Sequence, residues 1–247
     1  MTITSDAELR AMTDVGWIVS RTLDALVGEI RAGATTGELD ALAAAELSRH
    51  GARSAPQLVY GFPGSLCISV NEELVHGVPG GRVLRAGDLV TVDVTAEKDG
   101  FMADAARTVV VPQSSRLAAR LAACAREAFA AALEFAREGN RVWDLGAAIE
   151  RTAVRDGFTA IRDVAGHGIG RTIHEEPAIP CYFDLAFSQP LIAGMVLAIE
   201  PMISVSSEET RLAPDGWTVV TADGSLAAHY ENTVVITDGA PIVLTAA

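Results

Sequence analysis

Five ionisable side chains interrupt apolar, strand-forming segments in the second two-thirds of this chain, and they constrain its fold more than any other feature. They are four carboxylates and one histidine: Asp93, Asp104, His167, Glu200 and Glu231. An ionised side chain is costly to bury unless a compensating partner lies beside it. Two divalent metal ions would balance the carboxylates, and ions that share so few side chains require carboxylates that bridge them. The pattern therefore predicts a two-metal hydrolytic centre.

Residues 89–111, with the sequence LVTVDVTAEKDGFMADAARTVVV, predict a β-hairpin that carries the first two of these side chains. An Asp-Gly pair between apolar runs is among the stronger hairpin signals. If the turn has two residues, Asp104 lies opposite Thr95, and Asp93 shares their face because side chains alternate along a strand. The two aspartates are then diagonal neighbours, about 7 to 8 Å apart. A β-bulge would change this register, and a solvated hairpin with surface carboxylates is the alternative interpretation.

The other three side chains differ in how strongly their surroundings indicate function. His167 lies between glycines in AGHGIG, which allow close approach of a ligand but also fit an ordinary loop. Glu200 ends the apolar run LIAGMVLAIEP, a predicted buried strand in which an acid has no evident structural purpose. Glu231 opens the strand-like segment YENTVVIT, where a lone glutamate is usually solvated.

Read in order, these segments closely resemble the metal-binding set of type I methionine aminopeptidases. The motifs that carry the resemblance are VDVTA, ADAART, GHGIG, IEPM and YENT. It extends to SVNEELVHGVP and RTIHEEP, which are similar to the family segments carrying two substrate-binding histidines, here His76 and His174. Taken alone, either histidine would more simply be an exposed loop residue or a satisfied core residue. The resemblance spans nearly the whole chain.

The resemblance implies a role for each of these residues. The metal ligands would be Asp93, Asp104, His167, Glu200 and Glu231, holding two divalent ions. Their oxygen-rich set suits Mn, Fe(II) or Co, with Zn as a further candidate, and the sequence does not identify the metal. Coordination lowers the pKa of water toward about 7, which supplies a nucleophile at neutral pH. Glu200 would also transfer protons, His174 would stabilise the oxyanion, and His76 would contact the substrate backbone.

The resemblance also implies the pita-bread fold, an α/β (α+β) architecture in which a central antiparallel sheet is flanked by helices. Capping boxes at Ser5 and Thr35 predict the starts of the first two helices. We predict helices near 6–31, 37–50, 115–138 and 143–156, and strands near 67–71, 160–165, 195–200, 216–222, 230–236 and 241–245. Two helices followed by strands, twice, indicate a single catalytic domain over 1–247 with pseudo-symmetric halves of about 1–112 and 113–247.

The predicted methionine pocket contains both matches to this family and departures from it. Phe62, Cys67 and Trp217 match apolar positions that line the pocket in typical members. The departures are Val59 and Tyr60 in place of tyrosine and histidine, Ile173 in place of phenylalanine, and Met102-Ala103 in place of His-Gly. They indicate either neutral drift among apolar residues or a pocket of altered specificity. We include Val59, Tyr60 and Ile173 among the predicted substrate-binding residues, together with His76 and His174.

The predicted function is metal-dependent removal of the initiator methionine from nascent proteins whose second residue is small. The alternatives are a related pita-bread peptidase with X-Pro or other N-terminal specificity, and a non-catalytic peptide-binding paralogue. An X-Pro peptidase usually carries an added N-terminal domain that this chain is too short to contain, and a non-catalytic relative would have lost ligands. A zinc-protease HExxH motif is excluded, because Ala178 occupies the position of the second histidine.

Composition sets expectations about location and partners. The net charge of −13 argues against a nucleic-acid-binding surface, and no segment requires a membrane. The N-terminal sequence lacks a basic region followed by an apolar one, so we expect no secretory signal and a cytoplasmic protein. Three widely spaced cysteines are expected to be free thiols. The expected partners are N-terminal peptides of nascent proteins at the ribosome, and the expected oligomeric state is a monomer.

Overall fold

A computed structural model describes residues 1–246 and provides the bounds of the helices and strands. The helices are α1 (Asp6–Glu29), α2 (Thr36–Arg49), α3 (Ala55–Tyr60), α4 (Arg116–Leu133) and α5 (Val142–Arg155). The strands are β1 (Arg53–Ser54), β2 (Cys67–Val70), β3 (Glu73–Val75), β4 (Leu89–Lys98), β5 (Phe101–Val110), β6 (Thr159–Ala160), β7 (Ala165–Gly168), β8 (Glu175–Pro180), β9 (Val196–Ile199), β10 (Met202–Ser204), β11 (Thr210–Leu212), β12 (Val219–Thr221), β13 (Ala227–His229), β14 (Asn232–Val235) and β15 (Ile242–Val243).

The two longest strands, β4 and β5, form the predicted hairpin. Thr95 pairs with Asp104, and the ladder runs without a bulge from the turn to the far end of both strands. The two turn residues, Asp99 and Gly100, have φ angles of 51° and 82°. Both are left-handed, as a primed two-residue turn requires to match the twist of the strands. The predicted register is therefore confirmed.

The four long helices begin near their predicted starts, and one of them ends early. The Thr35 side chain and Glu38 form a complete capping box at the start of α2. Helix α4 ends at Leu133, so its predicted extension to residue 138 is wrong. Beyond α4 the backbone N–H of Glu138 donates to the carbonyl of Thr237 instead of continuing the helix. Pairing with a distant segment thus replaces the helical hydrogen bonds.

The predicted strand over 160–165 is also wrong, because it divides into two strands that belong to different sheets. Strand β6 pairs with β10, whereas β7 pairs with β8 and β9. The helix α3 and the short strands β3, β8, β10, β11 and β13 were not predicted. Elements of three to six residues produce too little periodicity in a sequence to be recognised.

The strands are arranged in four antiparallel sheets. The first contains β1, β2 and β5 around the central β4, and the largest has the order β15-β14-β9-β7-β8. Two small sheets have the orders β13-β10-β6 and β11-β12-β3. Side-chain hydrogen bonds connect the two larger sheets: Thr233 Oγ1 accepts from the Asp104 N–H at 2.9 Å and donates to the Asp104 carbonyl at 2.8 Å. These bonds join β5 to β14.

Two apolar clusters form the core, one for each half of the chain. Helix α1 packs on β4 and β5, and α2 packs on α1, while α4 and α5 pack on each other and on strands of the second half. Each cluster also contains residues from the other half, such as Val196 in the first and Leu89 in the second. This exchange favours a single domain, and the pseudo-repeat boundary near residue 112 remains a prediction. No helix within residues 1–246 is both long and apolar enough to cross a membrane.

Candidate metal centre

A cavity of about 220 Å³ opens between the two larger sheets and brings the predicted site residues together. The ionisable residues that line it are His76, Asp93, Asp104, His167, His174, Glu200 and Glu231. Apolar side chains, including Phe62, Ile173 and Met202, line the remaining wall. The cavity therefore has an acidic end with imidazoles around it and an apolar end that can receive a side chain.

Two groups of three residues each converge tightly enough to hold a metal ion. Asp104, His167 and Glu231 form one group, and Asp93, His229 and Glu231 form the other; within each, the candidate ligand atoms lie within 4.8 Å of one another. Glu231 belongs to both groups, as a bridging carboxylate would. The remaining predicted ligand, Glu200, has its Oε1 atom 3.5 Å from His167 Nε2.

His167 is held in the tautomer that a metal ligand needs. Its Nδ1 atom lies 2.9 Å from the Gly168 carbonyl. Because a carbonyl can only accept, Nδ1 carries the proton, and in the neutral ring Nε2 retains its lone pair. The buried ring thus presents Nε2 to the carboxylates of the cavity, and a backbone carbonyl commonly orients a ligating histidine in this way.

Asp104 is anchored by one carboxylate oxygen and free at the other. The Thr95 hydroxyl, directly opposite on β4, donates to Asp104 Oδ2 at 2.8 Å. Asp104 Oδ1 is buried and has no hydrogen-bond partner among the described residues. Asp93 Oδ1 and Glu231 Oε1 are unpartnered in the same way. Buried carboxylate oxygens without partners are costly, so these atoms indicate that a cation belongs between them.

The electrostatics of the protein without metal agree with this interpretation. Burial, followed by the nearby Asp104 and Glu231, raises the pKa of Asp93 well above its ordinary value. Burial, followed by Asp104 and Glu200, raises the pKa of Glu231 in the same way. A divalent cation would remove this repulsion and favour the ionised forms. Carboxylate oxygens with imidazole nitrogens form a donor set that divalent transition metals bind well, so the residues fit the group.

His76 and His174 border the cavity, and both rings favour the neutral form. Surrounding protein atoms displace part of their solvent and lower the pKa of each, with a further contribution from His167 at His174. The Tyr60 hydroxyl lies 2.6 Å from His174 Nδ1. Partial burial raises the pKa of Tyr60, so the phenol stays protonated. When this hydroxyl donates to Nδ1, His174 carries its own proton on Nε2.

The predicted pocket residues divide into those that line the cavity and those that do not. Tyr60, Phe62, Cys67 and Ile173 line it, and burial raises the pKa of the Cys67 thiol well above its ordinary value, so this wall is neutral. Trp217 lies behind the wall, edge-on to Phe62 with ring centroids 5.3 Å apart.

Three of the departures from the family pattern lie outside this wall. Val59 is exposed on α3 and is not among the residues that line the cavity, so its place in the pocket stays a prediction. Met102 and Ala103, on β5, are buried in the first apolar cluster.

Sequence reasoning missed one histidine of the centre. His229 is 1% exposed, and its Nε2 atom lies 3.4 Å from both Glu200 Oε2 and Glu231 Oε2. A signal for it was available, because residues two apart in an extended segment point to the same face, and His229 precedes Glu231 by two positions.

Comparisons with known proteins agree with this architecture. The family model for metallopeptidase family M24 matches residues 10–238. A methionine aminopeptidase of Clostridium perfringens is 44% identical over 98% of this chain and 97% of its own length, and methionine aminopeptidase 2 of Bacillus subtilis is 40% identical over 99% of each chain.

Solved structures agree as well. The crystal structure of a methionine aminopeptidase from Thermotoga maritima superposes with a TM-score of 0.96 at 36% identity and full coverage of both chains. A prolidase from Pyrococcus furiosus superposes at 0.78 and 25% identity, with all of this chain but 66% of the prolidase covered. The predicted pita-bread architecture is thereby confirmed.

Proposed function

This chain belongs to metallopeptidase family M24, and on that premise we propose how its cavity removes an initiator methionine. It is a hydrolase of the aminopeptidase class that uses a divalent metal and acts on N-terminal peptides. The observation that carries the proposal is that one cavity is lined by the five predicted ligands, by His76 and His174, and by an apolar wall.

We propose a centre of two ions held by Asp93, Asp104, His167, Glu200 and Glu231. Mn, Fe(II), Co and Zn are the candidate metals, because the donors are carboxylate oxygens and imidazole nitrogens. Bound ions supply Lewis acidity, which lowers the pKa of water and polarises the scissile carbonyl. Glu231, common to both candidate ligand groups, is the natural bridge between the two positions.

Each catalytic side chain then has one task. Glu200 accepts a proton from the attacking water and passes it to the leaving amine. His174 donates from Nε2 to the oxyanion, because Tyr60 holds the tautomer that places the proton there. His76 contacts the backbone of the substrate beside the scissile bond. The apolar wall formed by Phe62, Cys67 and Ile173 receives the methionine side chain.

The substrate must carry a free amine, and we propose that its second residue must be small. The α-amine has an ordinary pKa of about 7.7 to 8.0 and would lie at the acidic end of the cavity. A blocked N-terminus or an internal peptide bond has no free amine to place there. The second residue would pack between His76 and His174, outside the apolar wall, where a large side chain would collide with the rings.

The test is hydrolysis of defined peptides by chelator-treated protein reloaded with each candidate metal. We expect cleavage of Met-Ala-Ser, little cleavage of Met-Leu-Ser and none of acetyl-Met-Ala-Ser, which lacks the free amine. Metal analysis should give two ions per chain. Asp104→Asn, a matched variant that preserves side-chain size, should retain less than about a tenth of the activity because a ligand is lost.

Two other outcomes would indicate a different function. Faster cleavage of Ala-Pro peptides than of Met-Ala-Ser would identify an X-Pro peptidase. Peptide binding without cleavage at full metal occupancy would identify a non-catalytic relative. This chain covers all of the Thermotoga maritima methionine aminopeptidase but only 66% of the Pyrococcus furiosus prolidase, which favours removal of methionine over X-Pro cleavage.

We further propose that the physiological substrates are nascent chains at the ribosome, and that the protein is a cytoplasmic monomer. The net charge of −13 argues against direct binding to ribosomal RNA. Cosedimentation with ribosomes at low and moderate salt, and light scattering during size-exclusion chromatography, test the two statements separately.

A further inference from the structure

The imidazole of His229 is the most prominent buried group to which the catalytic roles above assign nothing. It ends strand β13 and is 1% exposed. Neither ring nitrogen has a hydrogen-bond partner among the described residues. A buried imidazole that leaves both nitrogens unsatisfied costs free energy, so a partner is expected at one of them.

The surroundings of Nε2 indicate what that partner is. This atom lies 3.4 Å from Glu200 Oε2 and 3.4 Å from Glu231 Oε2. Hydrogen bonds between nitrogen and oxygen are usually about 2.7 to 3.2 Å long, so these separations are long for direct bonds. Ligand atoms about 2.1 Å from one ion, at tetrahedral angles, are separated by about 3.4 Å. The separation between His229 Nε2 and Glu231 Oε2 is therefore that of two ligands around a shared cation.

We propose that His229 is a metal ligand, which together with Asp93 and Glu231 holds the ion on the Asp93 side of the centre. The inference rests on the proposed metal centre and adds a ligand to it. Candidate ligand atoms of His229, Asp93 and Glu231 lie within 4.8 Å of one another, the same limit that the group around His167 meets. Each ion position then has one imidazole of its own and shares Glu231 with the other.

This assignment changes the expected metal preference of the Asp93 side. A site made only of carboxylates suits hard cations, whereas an added imidazole strengthens binding of Co²⁺ and Zn²⁺ relative to Mn²⁺. The second ion should therefore bind more tightly than in an all-carboxylate site, and more so for Co²⁺ than for Mn²⁺.

The first experiment needs no variant. A crystal structure of the full chain loaded with Co²⁺, with anomalous scattering to locate the ions, measures the distance from His229 Nε2 to the nearest ion. We expect about 2.0 to 2.2 Å. A distance beyond about 3 Å, with Nε2 hydrogen-bonded to Glu200 or Glu231, would overturn the assignment and leave the proposed function intact. The absence of cobalt between Asp93 and Asp104 would overturn both.

The second experiment measures affinity. Chelator-treated protein is titrated calorimetrically with Co²⁺ and, separately, with Mn²⁺. In His229→Gln one of the two equivalents of Co²⁺ should bind more than about tenfold more weakly, because loss of a residue that only supports a ligand already costs about tenfold or more. The loss should be smaller for Mn²⁺, a difference that a purely structural role would not produce.

The control for this titration is His50→Gln, which removes an imidazole that packs edge-on against Trp17. This variant should leave the affinities for both equivalents of Co²⁺ unchanged. Wild-type affinities for both equivalents of Co²⁺ in His229→Gln would show that His229 is not a ligand.

Discussion

Single hydrogen bonds determine which nitrogen each histidine presents to the cavity. The Gly168 carbonyl fixes the proton of His167 on Nδ1, and a Tyr60 hydroxyl that donates to Nδ1 would place the proton of His174 on Nε2. The two rings lie with centroids 4.3 Å apart, yet one is prepared to accept a metal and the other to donate a proton. Opposite functions for adjacent imidazoles thus follow from their partners rather than from their positions.

The first expected outcome concerns His174 and its partner. His174→Ala should lower kcat about a hundredfold, the usual scale for loss of an oxyanion donor, without changing metal content. Tyr60→Phe should lower kcat less, because the ring remains but its tautomer is no longer fixed. Steady-state kinetics and metal analysis measure both effects. The control is Leu58→Ala, which changes a residue on the same helix as Tyr60. Loss of metal in His174→Ala would place this histidine among the ligands and refute its assigned role.

The second concerns the pocket wall, where Ile173 is buried and lines the cavity. Its aliphatic side chain leaves a looser wall than the phenylalanine typical of the family, and one methylene of misfit is worth about 1 to 3 kcal/mol in discrimination. Ile173→Phe should therefore increase the preference for Met-Ala over Leu-Ala peptides, measured as the ratio of kcat/KM values. An unchanged or reduced ratio would indicate that the substitution is compensated elsewhere and reflects drift.

At the scale of elements, the β4–β5 hairpin was predictable because its determinants are local. The Asp-Gly turn and the alternation of side chains specify the register, and the register places Asp104 opposite Thr95. The end of α4 was not predictable, since it depends on a backbone hydrogen bond between Glu138 and Thr237. In the sequence, helical periodicity continues past Leu133, where the structure ends the helix.

The third expected outcome tests the hairpin turn. Gly100 has φ of +82°, and a Cβ there would meet only the end of the Arg171 side chain at 3.8 Å. Gly100→Val should destabilise the protein by about 1 to 2 kcal/mol through backbone strain alone. Urea unfolding measures it, against Gly81→Val, a glycine in open space without a left-handed backbone. Equal stability of the two variants would show that the turn is not strained by a side chain.

At the scale of the whole molecule, the centre lies at the junction of the two apolar clusters, each of which consists mainly of residues from one half of the chain. Asp93 and Asp104 belong to the first half, and His167, Glu200, His229 and Glu231 belong to the second. The repulsion among carboxylates from both sides opposes closure of this junction. Metal binding removes that repulsion, so the stability of the fold should depend on metal and on pH together.

The fourth expected outcome follows from the raised pKa values of Asp93 and Glu231. Groups whose pKa is higher in the folded state contribute stability at low pH and lose it as pH rises through that folded value. Burial opposes the charge of His229, but Glu200 and Glu231 outweigh it and raise its pKa, so its contribution is also lost as pH rises. Metal-free protein should therefore melt at a lower temperature at pH 8 than at pH 5.5.

Calorimetry at several pH values measures this effect. Each unit of pKa shift corresponds to about 1.36 kcal/mol, or about 3 to 5 °C in melting temperature for a chain of this size. Saturating metal should raise the melting temperature more at pH 8 than at pH 5.5, because the ligands must be deprotonated to bind. Asp93→Asn should flatten the dependence in metal-free protein, whereas Asp238→Asn, at an exposed position, should not. A melting temperature that rises with pH in metal-free wild type would contradict the electrostatic account.

The sequence by itself determined the features that depend on neighbours along the chain. The hairpin register, the starts of the long helices and the motifs around the acidic residues all follow from side-chain alternation, capping and turn chemistry. Tertiary structure alone decided the features that join distant segments. The hydrogen bonds between Asp104 and Thr233 span 129 positions, and His229 Nε2 lies 3.4 Å from Glu200 Oε2. Those proximities depend on how two apolar cores pack against one another, and local backbone preferences carry no information about that packing.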